Sequence, residues 1–343
     1  MTKTTNETIG VLLLNLGGPD SIRSVKPFLY NLFSDRLIIQ LGLPFMQKPL
    51  AWLISALRSG KTKKAYSLIG GKSPILESTK EQAKALENVL NSSPAANDLL
   101  EGEAKENAFR VFVAMRYWHP LIEEVIPEIC REGIKRVVAV GLYPHYSVTT
   151  TGSSLAKLRE VAAGYPLEIC PVESWHNHPL YIEALIDVIR QGLKFFEEET
   201  RAAAGEGNVN VLFSAHSLPL KIVKKGDPYL EQILVTIEDI TRRIPLKWHL
   251  SFQSKSGPVE WLSPSTEEKL EELSRQGVKN VLVVPISFVS DHIETLFEID
   301  ILYKSYAERL GLTFKRVRAL NTHPVFIEAL KDIVLTRIRS GDR

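Results

Sequence analysis

The stretch PISFVSDHIETLFEI, residues 285–299, runs from the end of an apolar strand directly into the start of an acidic helix. If Ser290 caps a helix that begins near Asp291, the 3.6-residue period puts Asp291, Glu294 and Glu298 on one stripe. The apolar residues predicted for the opposite, packed face are Ile293, Leu296 and Phe297. Acidic residues in a first helical turn are also favoured by the helix dipole, so ordinary helix-start chemistry explains the first two carboxylates equally well.

A second stretch, NVLFSAHSLP at 210–219, is an apolar strand that ends at His216. Ligands of open α/β sheets bind beyond the carboxyl ends of the strands, and His216 is placed there. A single histidine at such a position is often a structural group whose ring donates to a nearby carbonyl. Two strand ends, one followed by His216 and the other by Glu294, are together a candidate for one shared site.

The rest of the chain alternates apolar strand patterns with helical patterns, as parallel sheets flanked by helices require. Strands are predicted at 9–16, 109–115, 136–142, 209–214, 247–253, 279–287 and 312–318. Helices are predicted at 77–91, 121–131, 180–198, 228–242, 264–275, 291–309 and 323–340. The pattern starts again near residue 175, which predicts an α/β protein of two domains of similar design.

Composition limits the functions that this chain can have. A length of 343 residues favours two domains over one compact unit. The formal net charge of +2 argues against nucleic acid as a partner. The first ten residues lack a secretory signal pattern, and two cysteines, Cys130 and Cys170, fit a reducing compartment, so we expect a cytoplasmic protein.

Residues 37–57, LIIQLGLPFMQKPLAWLISAL, are long and apolar enough to raise the question of a membrane span. Pro44 and Pro49 are expected to break a helix there, and the polar residues inside the stretch would be costly in hydrocarbon. An exposed apolar lip next to the cations of residues 58–64 suits an amphiphilic substrate or a membrane surface. A pair of short core helices is the alternative.

Several motifs, in order along residues 9–330, resemble those of the ferrochelatase family. Besides SAHSLP at 214–219 and SDHIETLFEID at 290–300, they are LNLGGP at 14–19, YSLIGGKSPI at 66–75, MRYWHP at 115–120, YPHYSVTTTGSS at 143–154, GDPY at 226–229 and QSKSGPVEWLSP at 253–264. The resemblance implies two Rossmann-like, chelatase-like domains facing across a cleft. We assign residues 1–175 to the first domain and 176–320 to the second, with the last helix, 321–343, packing back on the first.

The implied activity is that of a lyase that inserts Fe²⁺ into protoporphyrin IX, releasing two protons, as the last step of haem biosynthesis. Proton removal near neutral pH calls for a histidine, and a metal that is bound and then released calls for imidazole and carboxylate. We therefore assign His216 as proton acceptor and metal contact, Glu294 as its metal-binding partner, and Glu298 as a catalytic group that hands on protons or metal. Whether His216 acts mainly as base or as ligand stays open.

Bending a flat macrocycle requires contacts around its edge. The substrate-binding residues assigned on the resemblance are Leu16, Arg58, Tyr66, Arg116, Tyr117, Tyr143, Trp261, Phe288, Asp291 and His292. Lys61, with Arg58 and Arg116, is a further candidate for holding propionates, although surface cations are more often solvated. The alternative functions are a chelatase for coproporphyrin or another metal, and a non-catalytic tetrapyrrole-binding protein on the same scaffold.

We expect no cofactor, because Fe²⁺ is a substrate and two cysteines cannot supply the four thiolates of an iron–sulfur cluster. Some relatives hold such a cluster with cysteines of a C-terminal extension and of the loop before TTGSS, where this chain has Val148. Weak peripheral contact with the inner face of the membrane is expected from the lip. Monomer and dimer are equally compatible with the sequence.

Overall fold

A computed structural model describes residues 8–93, 108–203 and 209–341. The chain divides into two compact units, Met1–Trp175 with Asn321–Arg343, and His176–Leu320. Each contains a four-stranded parallel sheet, with strand order β2-β1-β3-β4 in the first unit and β6-β5-β7-β8 in the second. The two sheets therefore have the same topology. In each, the second strand lies on one side of the first strand, and the third and fourth strands lie on the other side.

The first unit is built on strands β1 (Ile9–Asn15), β2 (Phe109–Met115), β3 (Arg136–Gly141) and β4 (Glu168–Val172). Its helices are α1 (Val25–Ser34), α2 (Gln47–Leu68), α3 (Ile75–Asn91), α4 (Ile122–Arg131), α5 (Ser153–Ala162) and α11 (Pro324–Gly341), with a 3₁₀ turn at Pro44–Met46 and a π turn at Val148–Gly152. β1 is buried along its whole length, as expected of a strand covered by helices on both faces. The last helix, α11, contacts α3, β3 and β4 within this unit.

The second unit is built on strands β5 (Val209–His216), β6 (Lys247–Gln253), β7 (Asn280–Pro285) and β8 (Thr313–Arg316). Its helices are α6 (Pro179–Ala203), α7 (Leu220–Val223), α8 (Tyr229–Arg243), α9 (Thr266–Arg275) and α10 (Lys304–Arg309), and a π-helix covers Glu294–Tyr303. Ser265 and Glu268 form a capping box that fixes the start of α9. Tyr229, Ile233, Ile237 and Ile240 bury one stripe of α8, which is the periodicity that predicted this helix.

The structure corrects the predicted helix over 291–309. Regular helix begins at Glu294, takes the wider π form as far as Tyr303 and becomes α-helical only from Lys304. Ser290 does not cap it, and the buried side chains are Thr295, Ile299 and Tyr303. Ile293, Leu296 and Phe297 are only half-buried, so the predicted apolar face was wrong. The error has a physical cause: a π-helix holds more residues per turn than the α period assumes.

The region 37–57 is also corrected in part. Pro49 does not break a helix, because it lies in the first turn of α2, where proline costs no hydrogen bond. Leu43, Phe45, Trp52 and Leu57 are between 57% and 76% exposed, so these side chains are not in the core. The alternative of two short core helices is therefore wrong. Within the described ranges, no helix has both the length and the apolar content needed to cross a bilayer.

Candidate active site

His216 and Glu294 meet at the carboxyl edge of the second sheet. Nδ1 of His216 lies 2.8 Å from Oε2 of Glu294. His216 is the last residue of β5, and Glu294 begins the π-helix that follows β7. β5 and β7 are adjacent strands at the point where the chain order reverses, which is where ligand sites are expected in such sheets. The prediction that these two side chains converge is confirmed. Because Glu294 occupies Nδ1, Nε2 is the ring nitrogen that can act on a substrate.

Ser254 links Glu294 to the second carboxylate. Its Oγ is 2.7 Å from Oε2 of Glu294 and 2.5 Å from Oε2 of Glu298. The backbone of Ser254 has φ = 65°, in the left-handed region that non-glycine residues seldom adopt. Gln253, which is fully buried, donates its amide to the same Glu294 oxygen at 3.4 Å. Its own carbonyl accepts from the Ser214 hydroxyl, which fixes the amide's orientation.

The ionisable groups of this cluster shift one another's pKa values. Burial alone would lower the pKa of His216, but the charge and hydrogen bond of Glu294 outweigh it and raise that pKa above 6.5. Burial alone would raise the pKa of Glu294, but His216 and the Ser254 hydrogen bond lower it. Glu298 responds differently, since burial and then the charge of Glu294 raise its pKa to about 7. The site thus contains an ionised acid, a readily protonated base and an acid that takes up a proton near neutrality.

Asp291 does not belong to the carboxylate stripe. It pairs with Arg316 at 2.9 Å and accepts a hydrogen bond from Thr295, which in turn accepts from the backbone N–H of His292. Arg316 also holds Asp300 with two hydrogen bonds, so one guanidinium joins the residues before the π-helix to the π-helix itself. The structure therefore corrects the substrate-binding assignment of Asp291: it anchors the start of the π-helix.

The remaining predicted residues of the second unit differ in exposure. Phe288 is half-buried and packs edge-on against the rings of both His216 and His292. His292 is 5% exposed, and burial lowers its pKa. Its Nε2 is 3.9 Å from Oε1 of Glu294, so it supports that carboxylate and has almost no surface to offer a substrate. Trp261 is half-buried in the segment that bridges to Pro219, the end of the His216 loop.

In the first unit, Arg116 and Tyr117 converge on a buried acid, Asp35. Arg116 Nη2 and the Tyr117 hydroxyl each lie 2.7 Å from Oδ2 of Asp35, Ser153 donates to the same oxygen, and the Leu37 N–H donates to Oδ1. Tyr117 is 1% exposed, so its assignment as a substrate-binding residue is wrong: it is a core side chain. Arg116 is committed to Asp35, which removes it as a free cation for a propionate.

The other predicted residues of this unit occupy three environments. Leu16 follows β1 and is half-buried, and its carbonyl accepts from the Tyr117 N–H. Tyr66 is 3% exposed in α2, which contradicts substrate contact, whereas Tyr143 follows β3 and has a buried hydroxyl and a half-buried ring. Arg58 and Lys61 are exposed on α2, and the Arg58 guanidinium lies over the Phe33 ring.

Sequence reasoning missed Ser254 and Gln253 as site residues. Both lie in the QSKSGPVEWLSP motif, and Gln253 is the last residue of β6, beside His216 in the register. Their position at the end of a strand next to β5 was the available signal. Among the described residues, no three His, Cys, Asp or Glu side chains form a ready metal cage.

A family model described as Ferrochelatase matches residues 8–338. The chain belongs to the ferrochelatase family. It is 47% identical to the ferrochelatase of Geotalea uraniireducens over 97% of this chain and 99% of that one. It is 48% identical to that of Geobacter metallireducens, with 96% and 98% covered, and 46% identical to that of Synechocystis sp., with 95% and 82% covered. The family resemblance of the motifs is thereby confirmed.

Solved structures agree on the fold of this ferrochelatase family member. SirB from Bacillus subtilis, determined with Fe³⁺, superposes with a TM-score of 0.53 at 11% identity, covering 98% of this chain and 97% of SirB. The sirohydrochlorin chelatase SirB from Bacillus subtilis subspecies spizizenii, determined with cobalt, gives the same TM-score at 12% identity. At this identity the likeness concerns the fold alone, and it confirms the predicted chelatase-like architecture of two parallel sheets flanked by helices.

Proposed function

We propose that this protein inserts Fe²⁺ into protoporphyrin IX, with His216 as the base that removes pyrrole protons. Family membership gives the reaction class, a metal-chelating lyase of haem synthesis with a porphyrin and iron as substrates. The observation that carries the residue assignment is the 2.8 Å contact between Nδ1 of His216 and Glu294. A non-catalytic tetrapyrrole-binding protein has no need of such an acid–base pair.

The geometry supports a sequence of proton movements. With Nδ1–H donated to Glu294, Nε2 of His216 carries the lone pair that accepts a proton, and the Glu294 charge stabilises the imidazolium that forms. Ser254 lies between Glu294 and Glu298, so Glu298 is placed to receive the proton in the next step. His216 and Glu294 are also the groups that we propose contact the incoming Fe²⁺. Half-buried Phe288 then supplies an apolar surface beside the reacting nitrogen.

The test is metal insertion by the His216→Ala variant, measured as the loss of protoporphyrin fluorescence. Fe²⁺ is supplied under anaerobic conditions, and Zn²⁺ is used in a parallel assay. General acid–base groups contribute about 10²–10⁴-fold, so kcat should fall by that factor while porphyrin binding survives. The matched control is His249→Ala, since His249 lies within β6 and contacts Asn210 near the start of β5, away from the carboxyl ends of the strands. Near-full turnover by His216→Ala would show that His216 is a structural histidine.

We further infer protoporphyrin IX as the substrate in preference to coproporphyrin, on the family resemblance of the string SDHIETLFEID. The same assay run with coproporphyrin separates the two. We also propose that the protein works without a resident cofactor. Cys130 on α4 and Cys170 on β4 are its two cysteines, and Cys170 is buried. Two thiolates are too few for the usual cluster ligation.

We propose that the protein is cytoplasmic and that its apolar lip, residues 37–57, touches the inner face of the membrane weakly. Phe45 is 76% exposed and Trp52 57% exposed, and Lys48, Arg58 and Lys61 are exposed cations close to them in sequence. Aromatic and basic side chains together favour the interface of an anionic bilayer. This surface would bring the enzyme to where its apolar substrate and product partition.

Replacing Trp52 by glutamate should weaken binding to anionic phosphatidylglycerol vesicles and raise the KM for vesicle-borne porphyrin, with thermal stability unchanged because the ring is exposed. The control is Trp248→Glu, which changes a tryptophan of similar exposure, 41%, at the start of β6. Co-sedimentation with vesicles and steady-state kinetics measure both effects. Loss of thermal stability with unchanged kinetics would instead make Trp52 a packing residue.

A further inference from the structure

The backbone of His216 lies where the second sheet loses a neighbouring strand. The last residue pair between β5 and β7 is Ser214 with Pro285. The Ser214 carbonyl faces β7, since it accepts from the Ile286 N–H, whereas the Ser217 N–H faces β6 and donates to Gln253. Alternation along the strand turns the N–H and C=O of His216 towards the β7 side. There β7 has ended, so the strand supplies no partner for the residue that we assign as the base.

Two hydroxyls take the place of the missing strand. The His216 N–H donates to Oγ of Ser287 at 3.1 Å. The Tyr229 hydroxyl donates to the His216 carbonyl at 3.0 Å. The Tyr229 and Ser287 oxygens are 2.6 Å apart. Buried backbone groups that lack a partner are costly, so these contacts satisfy a real requirement at this position.

The hydrogens of this cluster fit only one direction around the ring. Each hydroxyl has a single hydrogen to donate. Because Tyr229 gives its hydrogen to the His216 carbonyl, Ser287 must donate to Tyr229, and Ser287 then accepts from the His216 N–H. Within this closed ring, each of the three residues donates once and accepts once. Removing either hydroxyl breaks the ring at two of its three bonds.

The hydrogen-bonded ring of His216, Tyr229 and Ser287 is shielded from water. Tyr229 is 4% exposed and Ser287 is 7% exposed, so water does not compete readily for either hydroxyl. Burial raises the pKa of the Tyr229 phenol well above its ordinary value, which keeps it a donor throughout the neutral range. Ser287 comes two residues after the end of β7 and Tyr229 begins α8, so the ring ties both elements to the end of β5.

We propose that Tyr229 and Ser287 are positioning residues of the reaction, which lock the backbone of His216 so that its ring meets Glu294 and presents Nε2 to the porphyrin. The inference rests on the proposed function, in which His216 is the base. A side chain's direction is set by its backbone, and catalytic contacts tolerate displacements well below 1 Å. Both hydroxyls bond to the peptide groups of His216, so both act on its ring through the backbone.

The experiment is a double-mutant cycle on metal insertion with Tyr229→Phe, Ser287→Ala and the double variant. Loss of a group that orients a catalytic residue typically costs about 10-fold or more, so each single variant should lower kcat by about that factor with porphyrin KM unchanged. Because either change opens the same ring, the double variant should be no slower than the worse single one. Ser287→Thr keeps a hydroxyl and should retain most of the activity.

The matched control is Tyr181→Phe. Tyr181 is buried in the same unit and its hydroxyl lies 3.4 Å from the carbonyl of Ile286, so this variant also removes a buried tyrosine hydroxyl beside β7. We expect it to lower thermal stability and to leave kcat unchanged. If Tyr229→Phe folds too poorly to assay, the Ser287→Ala and Ser287→Thr pair makes the same test.

Three results would overturn the proposal: unchanged kcat in Tyr229→Phe and Ser287→Ala, a fall in kcat equal to that of Tyr181→Phe, or additive losses in the double variant. The His216→Ala variant in the same assay keeps this outcome separate from a failure of the proposed function. If His216→Ala is inactive while Tyr229→Phe and Ser287→Ala keep full activity, the positioning role of the hydroxyl ring is rejected and the base assignment stands. An active His216→Ala rejects the assignment of the base, on which the ring depends.

Discussion

The two units share one sheet topology, yet their buried acids are treated in opposite ways. In the first unit, Asp35 accepts hydrogen bonds from Arg116, Tyr117, Ser153 and the Leu37 N–H. In the second, the Ser254 hydroxyl lies within bonding distance of two carboxylates but can donate its one hydrogen to only one of them. The two sheets have the same fold, so it is the supply of hydrogen-bond donors that distinguishes Asp35 in the first unit from Glu298 in the second.

The consequence is visible in the protonation of the acids. Burial would raise the pKa of Asp35, but the hydrogen bonds and the Arg116 charge outweigh it and hold that pKa below 3.8. At Glu298, the Ser254 hydrogen bond and the His216 charge do not outweigh burial and the Glu294 charge, and its pKa rises to about 7. An acid with full compensation stabilises a fold, whereas an acid that exchanges its proton near neutral pH serves chemistry. The second unit thus differs from the first in holding a buried acid, Glu298, that takes up a proton near neutral pH.

The largest effect is expected when the second unit loses the charge of Glu294, the partner of His216. Glu294→Gln keeps the shape of the side chain but removes the charge that stabilises the His216 imidazolium, so kcat for metal insertion should fall by about 10²–10⁴-fold. Porphyrin binding, measured by fluorescence, should be unchanged. Glu272→Gln on α9 is the control, because that acid pairs with Lys269 at the surface of the same unit. Turnover close to that of the parent would place the important charge elsewhere.

Next in size is the loss expected at the compensated acid. Asp35→Asn leaves the Arg116 guanidinium, 16% exposed, without its partner, and breaking a buried pair costs about 3–5 kcal/mol. Urea unfolding should show that loss, whereas kcat at a temperature where the variant is folded should stay within about twofold of the parent. Asp239→Asn, which breaks a more exposed pair with Arg242, should cost less than about 1 kcal/mol. If Asp35→Asn abolished turnover in a folded protein, the contrast between the units would fail.

The smallest effect is a difference in how stability depends on pH. The folded-state pKa of Glu298 is raised from 4.5 to about 7, so the stability it contributes is present below about pH 4.5 and is lost as pH rises through about 7. Glu298→Gln removes that loss and should raise the melting temperature relative to the parent above about pH 7. Melting curves between about pH 2 and pH 8 measure this difference.

Asp35 supplies the opposite sign in the same experiment. Its folded-state pKa is lowered, so its contribution is present above its unfolded value of 3.8 and is lost as pH falls. At neutral pH the parent should be more stable than Asp35→Asn but less stable than Glu298→Gln. Both stability differences should shrink on acidification. Parallel curves for the two variants would contradict the assignment of opposite environments.

Much of the fold can be predicted from sequence, because apolar strands and amphipathic helices show themselves by their periodicity. β1, β5 and β7 are long buried runs and were predictable, whereas β4 was missed: its five residues include Pro171, and only Cys170 among them is fully buried. The meeting of His216 with Glu294 could be predicted from topology alone, since adjacent strand ends share an edge.

The details of the site could not be predicted, because they depend on geometry that residue types do not encode. The spacing of Asp291, Glu294 and Glu298 suggested one stripe under the α period, but Arg316 draws Asp291 away. Tyr117 was assigned as a substrate-binding residue on the family resemblance, although its hydroxyl meets Asp35 in the core. The position of Ser254 just after β6 was a signal for its place at the sheet edge, but its left-handed backbone appears only in three dimensions.

The π-helix at Glu294–Tyr303 constrains how this protein can evolve. A π segment stays in register with the α-helix after it only while it keeps its surplus of residues per turn, and it normally survives at functional sites as a short bulge. Loss of one residue between Glu294 and Glu298 would favour the tighter α form and rotate one carboxylate away from Ser254. A substitution in this segment changes one side chain, but a change of length separates Glu294 from Glu298 in a single step. Among descendants of this gene, the segment should therefore vary in composition and not in length.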